Sequence, residues 1–578
     1  VTIIANSRPV KGPLPLVIGV TGHRDLRPDD IPYLEASVEK IFSELQEKYP
    51  STPLTIITGL AEGSDRLVAR TALSLGMTLI VPLPLSLNEY RKDFLTESSQ
   101  AEFEYLIARS AHVFELPLIH DCEEHEVATP GPKRNHHYAQ LGAYIATHAQ
   151  LLLALWDGEG RTLVGGTSQV VQYKLEGVPE PFVPEHSPLD AAETGPVYHI
   201  ITPRASSHEE PSHPFSVHIR YPEGYDSKQA AKHAFDDIYE RMEVFNKDSL
   251  RLSASLKDIR HKSKEYVLRK EHHPELTSEE RSVLDLYSVT DSLAIHYQRS
   301  THRTLRVLLF FVFVAAFFLD IYSQSEHKEP LMLLPYLLTF VAAFGWYYIA
   351  KRGAYQSKYL DYRAFAEGLR VQFFWLIAGM HESVPDYYMR KQKSELDWIR
   401  HGIRTSRMSE TSHPTMERAR NKMKSEQERG LRLERVEKFW IVDQTKYYSK
   451  AYARDHKKLT NWEKRITLFF ALGLVGAGVQ VLLRPQEFLL TTISLAPVVA
   501  ALFGAYLEKN ALAEHTKQYE RMSALFNRAR QHMHQLLESN LLSEAERFVI
   551  ELGKEALSEN GDWLLTHRDR PIEVPKGA

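Results

Sequence analysis

Two hairpins of apolar sequence in the second half of the chain limit its possible folds more than any other feature. Residues 307–322 and 331–350 form the first pair, and 466–483 and 488–506 form the second. Each run is about long enough to cross a hydrocarbon core, and Leu, Val, Phe, Ala and Gly dominate them. A helix buried in a large soluble domain can also be apolar all round. The pairing across short connectors and the flanking cations favour membrane spans. Arg303 and Arg306 precede the first, and Lys351, Arg352 and Lys358 follow the second. Lys457, Lys458, Lys464 and Arg465 precede the third, and Lys509 follows the fourth. The first connector is acidic on balance (Asp320, Glu326 and Glu329 against Lys328), and residues 484–487 are nearly neutral. By the positive-inside pattern, four spans leave both termini and the middle of the chain in the cytoplasm.

The bulk properties agree. A length of 578 residues suggests three or four domains, and a net charge of −4 gives no basic field for nucleic acid. The single cysteine, Cys122, excludes an internal disulfide framework and suits a reducing compartment. Residues 17–20 are too short for a signal peptide, so the first span is expected to direct insertion. A start at Val1 rather than Met reads as trimming or processing.

The N-terminal half has a strand–helix rhythm. Strands are expected at 16–21, 54–58, 77–82, 112–116, 151–156 and 197–201. Helices are expected at 31–47, 64–75, 138–148 and 167–175, with apolar residues such as Leu34, Val38, Ile41 and Leu45 at three-to-four spacing. Buried β-rich runs alternating with amphipathic helices imply an open parallel sheet covered on both faces, a Rossmann-like α/β domain. Such sheets bind ligands at the carboxyl ends of their strands, where glycine turns and helix N-termini offer amides to phosphate.

Three turns qualify. The first is Gly19-Val20-Thr21-Gly22-His23-Arg24, whose Arg suits bidentate phosphate contact; the second is Gly59 with Glu62-Gly63-Ser64-Asp65. The third is Gly165-Gly166-Thr167-Ser168, reached from Asp157 through the loop 157–166. Each alone is ordinary turn chemistry; together they point to one nucleotide pocket. Glu62 and Asp65 could form a carboxylate pair with His23 as acid or base. The simpler alternative has Asp65 capping its helix, Glu62 solvated and His23 lining the turn. No catalytic residue is assigned. Beside His136-His137, Lys133 and Arg134 make a basic patch that either touches phosphate or is solvated, and no zinc or other metal site is expected there.

Residues 177–214 hold Pro179, Pro181, Pro184, Pro188, Pro196, Pro203, Pro211 and Pro214, and read as irregular linker around one strand. The domain plan is therefore 14–204 as sensor, 205–226 as linker and 227–303 as helical connector. Residues 304–400 form the first hairpin with its cytoplasmic helix, 401–465 a helical region, and 466–578 the second hairpin with its helices. The last part looks duplicated: Tyr355, Tyr359, Tyr362 and Arg363 follow the first hairpin, as His515, Tyr519 and Arg521 follow the second. The spans hold almost no ionisable residue besides Asp320, at the outer end of the first, which disfavours coupled transport. Phe310, Phe311, Phe313, Phe317 and Phe318 make the first span bulky, whereas Gly473, Gly476, Ala477 and Gly478 make the third slim.

Ile18-Gly-Val-Thr-Gly-His-Arg24, Ile57-Thr-Gly-Leu-Ala-Glu-Gly-Ser-Asp-Arg66 and Leu153-Ala-Leu-Trp-Asp-Gly158 with Gly165-Gly-Thr167 resemble the SLOG domain over about residues 14–204. That Rossmann-like superfamily includes the lonely-guy cytokinin-activating enzymes and the sensor region of TRPM channels. The enzymes carry Pro-Gly-Gly-x-Gly-Thr-x-x-Glu with a catalytic Glu. The stretch Leu163-Val-Gly-Gly-Thr-Ser-Gln-Val-Val171 lacks that Glu, which favours sensing over hydrolysis. Residues 280–578 resemble the two-span SLATT effectors in Tyr362-Arg-Ala-Phe-Ala-Glu-Gly-Leu-Arg-Val-Gln-Phe-Phe-Trp375, Gly553-Lys-Glu-Ala-Leu-Ser-Glu-Asn-Gly-Asp-Trp563 and Arg568-Asp-Arg-Pro571.

The resemblance implies a multi-pass protein of the bacterial inner membrane that opens a homo-oligomeric pore in antiphage abortive infection. Its expected ligand is a nucleotide or an NAD-derived signal, such as ADP-ribose or a cyclic nucleotide, with no redox or metal cofactor. The alternatives are a membrane-anchored N-glycosidic hydrolase of nucleotides or NAD, and a signalling scaffold.

Overall fold

The structure, a computed structural model, describes residues 10–119, 122–160, 163–183, 192–207, 209–325, 329–389, 396–408, 426–482 and 487–571. Glu326, Lys328, Arg484, Pro184 and Pro188 lie outside the described residues. The chain divides into two compact units, Val1–Val289 with Glu367–Glu428, and Thr290–Ala366 with Arg429–Ala578.

The first unit is built on a seven-stranded sheet in the order β4-β3-β2-β1-β5-β6-β7. Its strands are β1 Leu16–Gly22, β2 Leu54–Ile57, β3 Thr78–Leu83, β4 His112–Glu115, β5 Leu151–Trp156, β6 Val197–Ile201 and β7 Val217–Arg220. The first six pair in parallel, and β7 pairs antiparallel with β6. Every residue of β2 and β5 is buried, as expected of strands covered on both faces. Each fully buried Leu, Ile or Val there contributes roughly 1.5–3 kcal/mol relative to exposure. The helices Ile31–Lys48, Ser64–Ser74, Pro132–His148 and Thr167–Glu176 supply that cover.

Strand β7 falls in the stretch that the sequence marks as linker. Its alternating Val-His-Ile-Arg pattern completes the sheet edge, with Tyr198 opposite Ile219 and His199 opposite His218. The helix Lys228–Arg251, expected in a connector, belongs to this unit. Its buried Asn246 accepts from Leu14 N at 2.9 Å and donates to Leu14 O at 2.8 Å and Thr52 Oγ1 at 2.9 Å. The helix Asp397–Thr405 joins it through Arg404, which pairs with Asp386 at 2.9 Å and Glu193 at 3.4 Å.

Apolar helices dominate the second unit. Among the described residues three helical stretches are long and apolar enough to cross a membrane: Ser278–Gln324, Pro330–Ala378 and Glu426–Leu482. Only 17%, 6% and 6% of their most apolar windows is buried. The fourth apolar run lies on the helix Glu487–Lys509. The slim face of the third run meets that helix: a Cβ on Gly476 would stand 2.5 Å from Ile493 Cγ1, and one on Gly473 3.1 Å from Pro497 Cγ. Asp320 accepts from Ser494 Oγ of the helix Glu487–Lys509 at 2.6 Å and from Gln324 Nε2 at 2.7 Å.

The two hairpin units share a backbone device. Helix Leu334–Arg352 passes into Tyr355–Ala378, and Glu487–Lys509 into Leu512–Glu538, through two residues each. The second of these is a left-handed alanine, Ala354 or Ala511, with φ 49° in both. Ala511 follows Ala354 by 157 positions, as Tyr519 follows Tyr362. Each of these tyrosines packs edge-on against a tyrosine of the helix entering its hairpin: Tyr362 on Tyr297 at 5.7 Å, Tyr519 on Tyr447 at 6.3 Å.

Candidate functional site

The chain runs outward from β1 through β2, β3 and β4, then returns to lay β5 on the other side of β1. A crevice opens where the order reverses, beyond the carboxyl ends of β1 and β5. A cavity of about 290 Å³ occupies it, close to the lower end of ordinary small-ligand sites.

Ten residues singled out by sequence line this cavity: Thr21, Gly22, His23 and Arg24 at and just past the end of β1; Asp65; Asp157 after β5; and Gly165, Gly166, Thr167 and Ser168. Gly19, Gly59, Glu62, Gly63 and Ser64 do not line it. They support it instead. A Cβ on Gly19 would meet Ile145 Cγ2 at 2.7 Å, and one on Gly59 would meet Leu141 Cδ2 at 2.5 Å, so both glycines let the helix Pro132–His148 approach the sheet. Gly63 has φ 76°, and a Cβ there would stand 2.4 Å from Arg24 O. Ser64 is wholly buried and donates its hydroxyl to His23 O at 2.8 Å, which ties the second turn to the first.

The Glu62–Asp65 pair is not assembled in the cavity. Glu62 accepts from Ser99 Oγ outside it. Asp65 is buried in the first turn of its helix, accepting from Thr58 Oγ1 at 2.7 Å and Ala61 N at 3.4 Å. Burial raises its pKa to about 6, against the opposing hydrogen bonds and the charges of Arg24 and Arg66. A carboxylate in that first turn already occupies the positive end of the helix.

The third turn is open. Gly166 N donates to Leu163 O at 3.0 Å, closing a tight turn whose third residue, Gly165, has φ 78°. A side chain at Gly165 would also collide with Tyr138 Cβ at 2.7 Å. The helix Thr167–Glu176 starts there with no side-chain cap and no acidic residue in its first turn. Its leading amides, at Thr167 and Ser168, therefore present the positive helix end at the cavity wall.

Arg24 supplies a cation. It is exposed and lies 5.5 Å from the Tyr138 ring centre, and among the described residues its guanidinium makes no hydrogen bond or ion pair. His23 is buried and accepts at Nε2 from Asp157 N at 2.9 Å, with Asp157 Oδ2 at 3.3 Å. That contact fixes the loop leaving β5 against the loop leaving β1.

Tyr90, Tyr138, Gly142 and Arg204 also line the cavity and were not singled out by sequence. Tyr138 lies just past the basic patch, which is the only local signal for it. Its hydroxyl donates to Asp93, and burial followed by that carboxylate pushes its pKa up to about 12. Arg204 is paired with Asp25 at 3.2 Å. The patch itself is used internally. Arg134 is buried against Asp93 at 2.6 Å, and Lys133 pairs with Glu126. His137 is buried, with Nδ1 on Lys133 O at 2.9 Å, and burial lowers its pKa.

The arrangement offers an anion two kinds of partner, amides and a guanidinium, beside apolar and aromatic walls. Comparison with protein-family models finds none that matches this chain, and comparison with curated proteins finds no match either.

Proposed function

We propose that the first unit is a Rossmann-like sensor for a nucleotide or NAD-derived ligand, and that this ligand gates a pore formed by several copies of the second unit. The observation that carries the reading is that the open helix N-terminus at Gly166-Thr167-Ser168 and Arg24, unpaired among the described residues, line one switch-point cavity. Phosphate oxygens fit the amides and the guanidinium; a base or ribose fits the walls of Tyr138, Leu141 and Val170. Four spans place both termini on the cytoplasmic side, and the exposed apolar helices meet lipid or neighbouring protomers. Four spans rarely enclose a conducting path alone, so the pore is an oligomer gated by dewetting at Phe or Leu. Ligand opens it only through unequal affinity for the closed and open states.

Hydrolysis has less support, because Glu62 faces Ser99 rather than the cavity. The test is dye or ion flux from liposomes holding the full chain, against a panel of mononucleotides, cyclic nucleotides, NAD and ADP-ribose. One ligand class should open the wild type, with Arg24→Ala and Gly166→Asp both unresponsive. If no member of the panel binds, or if both variants respond as the wild type does, the reading fails.

A further inference from the structure

The two hairpin units differ in charge at one equivalent point. In both, the helix after the hairpin begins immediately beyond the left-handed alanine. Its first amide with an intrahelical acceptor is Lys358 N on Ala354 O at 3.0 Å in one unit, and His515 N on Ala511 O at 2.9 Å in the other. The amides ahead of these have no acceptor within their own helices.

The second unit answers that need internally. Glu514 lies in the first turn and pairs with Arg570 at 2.6 Å, while Arg570 also donates to Glu508 O at 3.3 Å. Stepping back 157 positions, Glu514 becomes Ser357 and Glu508 becomes Lys351. The first turn of Tyr355–Ala378 holds no acidic residue. Here the helix end lacks the carboxylate that its counterpart carries, and a cation stands in place of an anion.

A cavity of about 210 Å³ lies at this junction, lined by Thr301, Thr304, Tyr347, Lys351, Gln356 and Ser357 among others. Thr304 is 3% exposed, and among the described residues its hydroxyl has no hydrogen-bond partner. Lys351 is exposed, 5.9 Å from the Tyr347 ring centre, and among the described residues it has no ion-pair partner. Arg303 and Arg352 are likewise exposed and unpaired among the described residues. A buried unpartnered hydroxyl is costly unless a ligand satisfies it.

We propose that this cavity holds the phosphate of an anionic phospholipid headgroup, where the apolar run 307–322 begins and the apolar run 331–350 ends. The inference rests on the membrane reading of those runs. These ends of the two runs, with Arg303, Arg306, Tyr347, Lys351 and Arg352, are where Lys, Arg and Tyr meet the headgroup layer. The open helix end and Lys351 attract the phosphate charge, and the Thr304 hydroxyl donates to one of its oxygens. At the second hairpin Glu514 and Arg570 already pair at the corresponding helix start.

The test uses the full chain. Flotation with neutral phosphatidylcholine vesicles checks the membrane reading separately: a chain that stays behind refutes that reading. Native mass spectrometry of detergent-purified protein then compares retained phosphatidylglycerol with phosphatidylcholine. Phosphatidylglycerol should be favoured roughly tenfold. The exposed pair Lys351→Glu with Ser357→Glu, which installs the residues of the second unit, should abolish the preference. Thr304→Val should weaken it while leaving helix content unchanged. A floating chain without phosphatidylglycerol preference, or the double variant retaining that lipid as the wild type does, overturns the site. If inorganic phosphate alone fills it as tightly, the ligand is a free anion and the lipid assignment is overturned.

Discussion

Strand β5 and the third apolar run are written in nearly the same residues and end in opposite surroundings. All six residues of Leu151–Trp156 are buried. In the third run Leu468, Leu472, Leu474 and Val475 are between 51% and 77% exposed. Length and ends account for the difference. A run of six apolar residues closed by Asp157 and Gly158 can only be covered by its own domain, whereas about eighteen, flanked by Lys464 and Arg465, present a helix surface that the chain does not cover. Apolar content alone therefore does not say whether a segment makes a core or seeks a lipid.

The largest effect should come from placing the same charge in both. Leu153→Asp buries a carboxylate without a partner in a fully covered strand and should cost more than about 4 kcal/mol, unfolding the first unit. Leu474→Asp, at a position 77% exposed, should leave helix content in detergent unchanged. It should instead impair membrane insertion, by roughly 3 kcal/mol at the span centre. Circular dichroism in detergent and carbonate extraction of membranes read the two outcomes. Leu474→Asp unfolding in detergent as Leu153→Asp does would break the contrast.

Much of the first unit is legible for the same reason. Most of its parallel strands are short apolar runs bounded by Gly, Pro or Asp, and the helices between them carry clear apolar faces. The turn Gly165-Gly166 before Thr167 marks an open helix start because Gly offers no competing side chain. Strand β7 was illegible because four alternating residues in a Pro-rich stretch become a strand only when β6 is beside them. Tyr138 was illegible as a cavity wall because the setting of its helix depends on distant glycines. Gly19 meets Ile145, and Gly59 meets Leu141 Cδ2 at a built-Cβ distance of 2.5 Å. Asp65 and Glu62 look equivalent in sequence, and only the helix start at Ser64 turns one inward.

A second, smaller effect separates the units by their response to acid. Asp65 has its folded pKa raised to about 6 by burial, above an unfolded value of about 3.9. The folded state therefore binds the proton more tightly, and stability falls as pH rises from about 4 to 6. The deficit is complete above that, at roughly 3 kcal/mol. Asp65→Asn keeps an acceptor for Thr58 Oγ1 and should slow hydrogen exchange in β1 and β2 peptides at pH 7.5, with little change at pH 4.5. Wild-type protection that increases with pH across this window, relative to the variant, would refute the sign. A carboxylate that costs stability in its charged form, set in a cavity wall, is the kind of strain that functional sites retain.

The smallest effect has the opposite sign and belongs to the second unit. His515 accepts from Trp563 Nε1 at 3.2 Å and stacks on His567 with ring centres 4.7 Å apart. Burial, then the field of His567, lowers its pKa to about 4; Asp455 and Glu514 oppose the shift, and His302 adds to it. A depressed histidine contributes stability that is present above its unfolded pKa of about 6.5 and is lost as pH falls from there toward 4. Because His515 is only partly buried, the loss at pH 5.5 should be about 1 kcal/mol after screening. Hydrogen exchange of peptides around 512–538 and 542–568 should quicken between pH 7 and 5.5 in the wild type, after correction for intrinsic rates. His515→Gln, which does not titrate, should flatten that change. Acid would then tighten the sheet around Asp65 while loosening the helices around His515. Both units responding in the same direction, or His515→Gln keeping the wild-type pH dependence, would remove the histidine as the cause.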